Sequence, residues 1–272
     1  MFGHNEIVGK SSFPSDDKLQ VTSTFVTLQG EGPYSGLPAV FVRLAKCNLA
    51  CSFCDTYFDN GDWFTLDELS HRLNAAVAAT PLPKSDYVLV ITGGEPMLQK
   101  ALVPFLEREE GQWRGTQIES NGIVPQPIPA STTLVVSPKC AERNGVATKY
   151  LRPRPQTLDR ADCLKFVMEA DPTSPYSVVP EWALDWRRQT GKEVYVSPMN
   201  IYNEEPEKAK AMRNEGGVTI EQRSTVEEVI SFWTPGLLDL QANQINHEMT
   251  AKYAIRNGLR FQVQTHLYAS VA

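Results

Sequence analysis

The sequence predicts an α/β protein on a mostly parallel sheet, and three observations carry that expectation. Short apolar runs alternate with stretches of helical spacing along most of the chain. Several runs are almost continuously apolar, as parallel strands covered on both faces tend to be. Capping and stop signals fall between them. Such alternation implies right-handed βαβ crossovers and a sheet that is either open or curled into a barrel.

Strands are expected at 20–27, 39–45, 87–92, 116–120, 133–137, 164–168, 193–197 and 260–265. A first helix follows Thr65-Leu66-Asp67-Glu68, a capping-box pattern, with Leu66, Leu69, Leu73 and Val77 at helical spacing. A second is expected over 98–109, where Pro104 marks either a kink or the true start. A third spans 178–190 and is closed by Gly191; the longest spans 237–257 and stops at Gly258. Two stretches interrupt the rhythm and read as insertions: 140–160, basic and Pro-bearing, and 202–223, charged. Residues 1–18 are polar and without period, a flexible lead-in to a single domain over 19–272.

Composition narrows the class. With 272 residues, 42% hydrophobic and 21% charged, the chain is neither collagen-like nor disordered. A net charge of −6 argues against a nucleic-acid-coating role. No run approaches the roughly 20 apolar residues that span a bilayer, and the first residues lack the apolar core of a signal peptide. A soluble, cytoplasmic protein with no membrane partner is expected.

Five cysteines are an odd number for a disulfide framework, and Cys47, Cys51 and Cys54 fall within one short segment after the strand AVFVRLA. Three thiolates on one loop can converge on a small object. A structural zinc wants four protein ligands, so Cys140, Cys163 or a histidine would have to complete it. An iron–sulfur cube takes three thiolates and leaves one iron open for another ligand. Spacing alone leaves both open. Cys140 and Cys163 stand isolated and read as small buried hydrophobes.

The segment Cys47-Asn48-Leu49-Ala50-Cys51-Ser52-Phe53-Cys54 resembles the cluster motif of the radical S-adenosylmethionine superfamily, including the aromatic Phe53. Thr92-Gly93-Gly94-Glu95-Pro96 is similar to that superfamily's GGEP element. The physical reading of its glycines is that they let backbone carbonyls approach a ligand at a strand end. Within the superfamily, Leu28-Gln29-Gly30-Glu31-Gly32, Arg43, Cys54-Asp55-Thr56, Glu119-Ser120-Asn121-Gly122 and Ser137-Pro138-Lys139 resemble the motifs of 7-carboxy-7-deazaguanine synthases. Weaker echoes are LKFV, VSPM and the terminal QTHLY.

The resemblance implies a partial (β/α) barrel and a lyase of queuosine and 7-deazapurine biosynthesis. It would convert 6-carboxy-5,6,7,8-tetrahydropterin to 7-carboxy-7-deazaguanine with loss of ammonia. Implied cofactors are a [4Fe–4S] cluster on Cys47, Cys51 and Cys54, S-adenosylmethionine, and a magnesium ion on Thr56. S-adenosylmethionine would be held by Phe53, Gly94, Glu95, Ser120, Ser137 and Lys139, and the pterin by Leu28, Gln29, Gly30, Glu31, Arg43, Thr92 and His266. No catalytic side chain is implied beyond cluster and cofactor. The resemblance also implies an external one-electron donor, flavodoxin- or ferredoxin-like, and a homodimer. Two rivals are weaker. A glycyl-radical activase would need further cysteine clusters, and a zinc-bearing binding module would need a second ligand pair.

Overall fold

A computed structural model describes residues 7–9, 13, 16–54, 56, 58–201 and 239–265. Its centre is one nine-stranded sheet. β1 (Lys18–Leu28) pairs antiparallel with β2 (Pro38–Leu44) and with β3 (Asp62–Thr65). From β2 onward every pairing is parallel: β4 (Val88–Gly93), β5 (Gly115–Ser120), β6 (Thr132–Val136), β9 (Cys163–Met168), β10 (Glu193–Pro198) and β11 (Arg260–Phe261). β7 (Cys140–Arg143) and β8 (Val146–Tyr150) form a separate hairpin. The order β11-β10-β9-β6-β5-β4-β2-β1-β3 leaves two free edges, so the sheet does not close. This is the partial barrel expected.

Helices cross between neighbouring parallel strands: α1 (Leu66–Ala78), α2 (Leu102–Glu109), α3 (Pro155–Arg160), α4 (Glu181–Thr190) and α5 (Leu240–Asn257). Their apolar stripes, with Leu69, Leu73, Phe105, Leu158, Ala183 and Ala254, pack on Val40, Val42, Leu44, Leu89, Ile91, Ile118, Leu164, Phe166 and Val196 in one core. Side chains alternate along a strand, so Arg43, Thr92 and Lys165 fall on the opposite, inner face. Glu119 joins them through register: it pairs with Val135, which pairs with Cys163, two residues before Lys165. Parallel strands with helices on one face and a polar row on the other are barrel-type, not doubly wound.

The strand candidates appear with small shifts, and four differences have local causes. The strand expected at 20–27 is antiparallel, because a short connection with one 3₁₀ turn (Gly32–Tyr34), and not a crossover α-helix, joins it to β2. The second helix begins at Leu102, since Pro104 is tolerated in a first turn where no intrahelical N–H is needed; residues Pro96–Leu98 form a separate 3₁₀ turn. The 140–160 insertion is the β7–β8 hairpin followed by α3. Of the last expected strand only Arg260–Phe261 pairs. The 202–223 insertion lies outside the described residues. The described part of the lead-in is docked: Val8 N–H donates to the Cys47 carbonyl at 2.8 Å, and Phe13 is buried against Trp63. Among the described residues no helix is long and apolar enough to cross a membrane.

Candidate active site

The carboxyl ends of β2, β4, β5, β6, β9 and β10 open onto a cavity of about 240 Å³. It collects Gln29, Glu31, Arg43, Thr56 and Thr92 with Cys47, Cys51, Phe53, Cys54, Gly94, Ser120, Ser137 and Lys139. Residues from six separate segments therefore meet at one strand-end face, where barrel enzymes place their chemistry.

The cysteine loop starts where Lys46, with φ at 70°, takes the left-handed conformation and turns the chain out of β2. That turn is pinned by the end of β4: Gly94 N–H donates to the Leu44 carbonyl at 3.0 Å and Glu95 N–H to that of Lys46 at 2.9 Å. A Cβ on Gly93 would lie 2.0 Å from the Leu44 oxygen, and one on Gly94 1.8 Å from the Lys46 oxygen. The glycines thus have a reason other than the one the motif suggests. They let β4 abut the cysteine loop.

Burial raises the Cys47 thiol far above the ordinary thiol range, with the Glu95 carboxylate adding to the effect, and burial raises Cys51 as well. Such thiols become thiolate ligands only with a cation bound beside them. Among the described residues no three His, Cys, Asp or Glu side chains are grouped around a single ion. An iron–sulfur cube distributes its thiolates over separate irons, and three thiols sharing a cavity wall fit that donor arrangement. Cys140 and Cys163 are buried away from the cavity, as expected.

Glu95 departs from expectation. It is fully buried and does not line the cavity. Its carboxylate accepts from Ser120 Oγ at 2.8 Å, Asn121 N–H at 2.7 Å and Met97 N–H at 3.0 Å. Burial raises its pKa against those hydrogen bonds. Glu95 therefore organises the wall that would face a cofactor and does not face it. Asn121 extends the wall, its Nδ2 donating to Asn48 Oδ1 of the cysteine loop at 2.7 Å. Lys139 Nζ donates to Ser137 Oγ at 2.6 Å and to the Ser137 carbonyl at 2.9 Å, and its pKa is lowered by burial.

The opposite end of the cavity is the inner sheet face. The Arg43 guanidinium donates to Thr56 Oγ1 and lies 5.5 Å from the centroid of the Phe25 ring. Lys165 Nζ sits 2.9 Å from Glu31 and 2.7 Å from Glu119. Burial opposes its charge, but the two carboxylates outweigh burial and hold the ammonium protonated above the ordinary lysine range. Leu28 and Gly30 do not line the cavity; they build the turn that delivers Gln29 and Glu31, with Ser35 Oγ donating to the Gly30 carbonyl at 3.1 Å. His266 lies outside the described residues. Two residues before it, Gln264 lines the cavity 3.5 Å from Glu31 Oε2, and Gln262 Oε1 accepts from Gly32 N–H at 2.8 Å. The chain's last described segment thus reaches the cavity.

Lys165, Glu119, Thr27, Ser197 and Gln264 are not among the site residues that the sequence predicts. A lysine inside the apolar strand run LKFV is the available signal for Lys165. Thr27 Oγ1, Gln29 Nε2 and Ser197 Oγ are buried in the cavity residues without a hydrogen-bond partner. Buried polar atoms normally find partners, so these three mark where a polar ligand belongs.

No family model matches the chain. The chain is 29% identical over 273 residues to the 7-carboxy-7-deazaguanine synthase of Rickettsia prowazekii, covering 100% of this chain and 96% of that one. It is 38% identical over 184 residues to the 7-carboxy-7-deazaguanine synthase of Rhodospirillum rubrum, covering 66% of this chain and 71% of the relative. To that of Bacteroides thetaiotaomicron it is 35% identical over 163 residues, 59% of this chain and 76% of the relative. Among solved structures, QueE from Escherichia coli aligns with a TM-score of 0.57 over 91% of this chain and 94% of that chain; at 18% identity the likeness establishes the fold.

Proposed function

The chain belongs to the 7-carboxy-7-deazaguanine synthases, radical S-adenosylmethionine lyases, and from that premise we propose that its cavity converts 6-carboxy-5,6,7,8-tetrahydropterin to 7-carboxy-7-deazaguanine with loss of ammonia. Family membership brings a [4Fe–4S] cluster and S-adenosylmethionine. Cys47, Cys51 and Cys54 would hold the cluster, and Phe53, Gly94, Ser120, Ser137 and Lys139 would hold S-adenosylmethionine. When bound, the two together supply the radical that starts ring contraction.

The residues do the rest. The observation that carries this reading is the set of buried, unpartnered polar atoms on Thr27, Gln29 and Ser197. A flat heterocycle with a donor–acceptor edge satisfies such a row, and an apolar ligand would leave it unpaired at about 1–3 kcal/mol per group. Glu31 accepts from ring N–H groups, its carboxylate held in place by Lys165 Nζ at 2.9 Å. Arg43 offers its planar fork to the substrate carboxylate. Thr56, whose Oγ1 accepts from Arg43, would be the protein oxygen that holds a magnesium ion, which would neutralise the charge of the substrate carboxylate. Thr92 adds a hydroxyl to the pterin site, and His266, which lies outside the described residues, is assigned to the same site by the family resemblance.

The test is ligand binding to the cluster-loaded protein, measured by calorimetry. Gln29→Ala should weaken carboxy-tetrahydropterin and leave S-adenosylmethionine affinity unchanged. Equal loss of both ligands, or of neither, contradicts this division of the cavity.

A further inference from the structure

The β7–β8 hairpin is a ribbon with two different faces. Inward, it grips the cysteine loop: both carboxylate oxygens of Glu142 accept from Ser52 N–H at 2.9 Å, and Ser52 Oγ donates at 3.2 Å. Ser52 lies between Cys51 and Cys54. Cys140, Ala147 and Tyr150 of the same face pack with Phe53 and Tyr176. The ribbon is anchored at both ends, with Cys140 N–H donating to the Tyr176 hydroxyl at 2.9 Å and Leu151 N–H to the Lys139 carbonyl at 2.8 Å. Its backbone is therefore a fixed platform against the loop.

Outward, the alternation presents Arg143, Val146 and Lys149, all exposed, with Val146 at 65%. Arg152 and Arg154 continue the exposed basic run. Residues 139–154 hold five basic side chains and one acidic, in a chain of net charge −6. None of Arg143, Lys149, Arg152 or Arg154 forms an ion pair among the described residues. The inward acidic residue, Glu142, is the one engaged with the loop. The ribbon thus turns concentrated positive charge to solvent beside the cysteines, on a chain whose net charge is −6.

We propose that the outward face of the β7–β8 hairpin is the docking surface for an acidic one-electron carrier protein that reduces the cluster. The inference rests on the proposed function, which requires an electron from outside the chain. One electron leaves the reduced carrier and enters the cluster; no bond forms or breaks and no proton moves. A carrier seated there lies one ribbon away from the cysteine loop, a layer spacing of about 10 Å. Opposite charge steers such encounters and raises association rates by about tenfold to a thousandfold. The apolar Val146 amid cations matches an interface with an apolar centre and a charged rim. A nucleic acid has no use for the apolar centre or for proximity to the cysteines.

The probe is a reduced plant-type [2Fe–2S] ferredoxin, a low-potential carrier, mixed anaerobically with cluster-loaded protein. Rapid-freeze EPR of the reduced [4Fe–4S] signal gives the rate. The wild-type rate should fall steeply with salt. Arg143→Glu with Lys149→Glu should lower it by about tenfold or more and flatten the salt dependence, while dithionite-driven turnover stays at the wild-type level. Arg143→Gln with Lys149→Gln, a milder pair on the same exposed positions, should give a smaller loss in the same direction. Wild-type ferredoxin rates in both variants, or a salt-independent wild-type rate, overturn the proposal. So does equal loss of the dithionite-driven rate, which makes the hairpin a structural support. Retention of a short RNA by wild type and not by the variants, with ferredoxin rates unchanged, reassigns the patch and also overturns it. Absence of bound iron in the wild type would instead refute the proposed function itself.

Discussion

Lys165 places its ammonium 2.9 Å from the carboxylate of Glu31, a residue 134 positions earlier in the chain, and joins the turn after β1 to the middle of β9. The same ammonium reaches Glu119 at 2.7 Å. One buried cation thus holds two carboxylates on the inner sheet face, and its removal leaves both uncompensated. Lys165→Met should destabilise the fold by about 3–5 kcal/mol, the cost of breaking a buried pair from one side. It should also weaken pterin binding. Chemical denaturation and calorimetry check the two effects. Unchanged stability would mean that the carboxylates are solvated, contrary to the burial of this face.

Replacing Cys47, Cys51 or Cys54 by Ala should each remove most of the bound iron and abolish turnover, because three ligands leave no spare. Cys140→Ala and Cys163→Ala should keep both, since neither side chain lines the cavity. Iron quantification separates the two groups, and a fully active Cys51→Ala protein would contradict the cluster assignment.

Gly94→Ala places a methyl group 1.8 Å from the Lys46 carbonyl oxygen, and backbone on both sides must move to admit it. The cysteine loop should shift off the end of β4, so iron content should fall while the far-UV circular dichroism of the sheet and helices is retained. If Gly94→Ala loads iron normally, the glycine serves a ligand and not the loop.

Thr56→Ala should lose the stimulation by magnesium while keeping its iron, and Arg43→Lys should weaken pterin binding by loss of the bidentate fork with charge retained. Turnover of chelator-treated enzyme, with and without added magnesium, checks the first, and substrate titration checks the second. Equal turnover of the wild type in both conditions would leave Thr56 as a partner of Arg43 alone.

Features set by neighbours in the chain are legible in the sequence. The capping box forms with Thr65 Oγ1 accepting from Glu68 N–H at 3.2 Å, and Gly191 and Gly258 close their helices with left-handed backbone at φ 70° and 63°. The family resemblance likewise assigns the cysteines, Gln29, Glu31, Arg43, Thr92 and Lys139 to one site, and the fold brings them to one cavity. What the sequence hides depends on register between distant strands. Lys165 and Glu119 meet only because β5, β6 and β9 are adjacent and aligned. Glu95 sits in the motif but behind the wall, a direction that spacing does not encode. The β7–β8 hairpin is too short and too charged for a strand pattern, so its residues read as an irregular insertion. Its two-faced character comes from a contact between distant residues, Glu142 on Ser52.

The central claim is that this cavity performs the ring contraction, and product analysis tests it most directly. The cluster-loaded protein is incubated anaerobically with 6-carboxy-5,6,7,8-tetrahydropterin, S-adenosylmethionine, magnesium and dithionite, and mass spectrometry follows the mixture. The account predicts 7-carboxy-7-deazaguanine in many-fold excess over enzyme, released ammonia, and S-adenosylmethionine that is not consumed in proportion. Cleavage of S-adenosylmethionine by a fully loaded protein, with the pterin left intact, would contradict it.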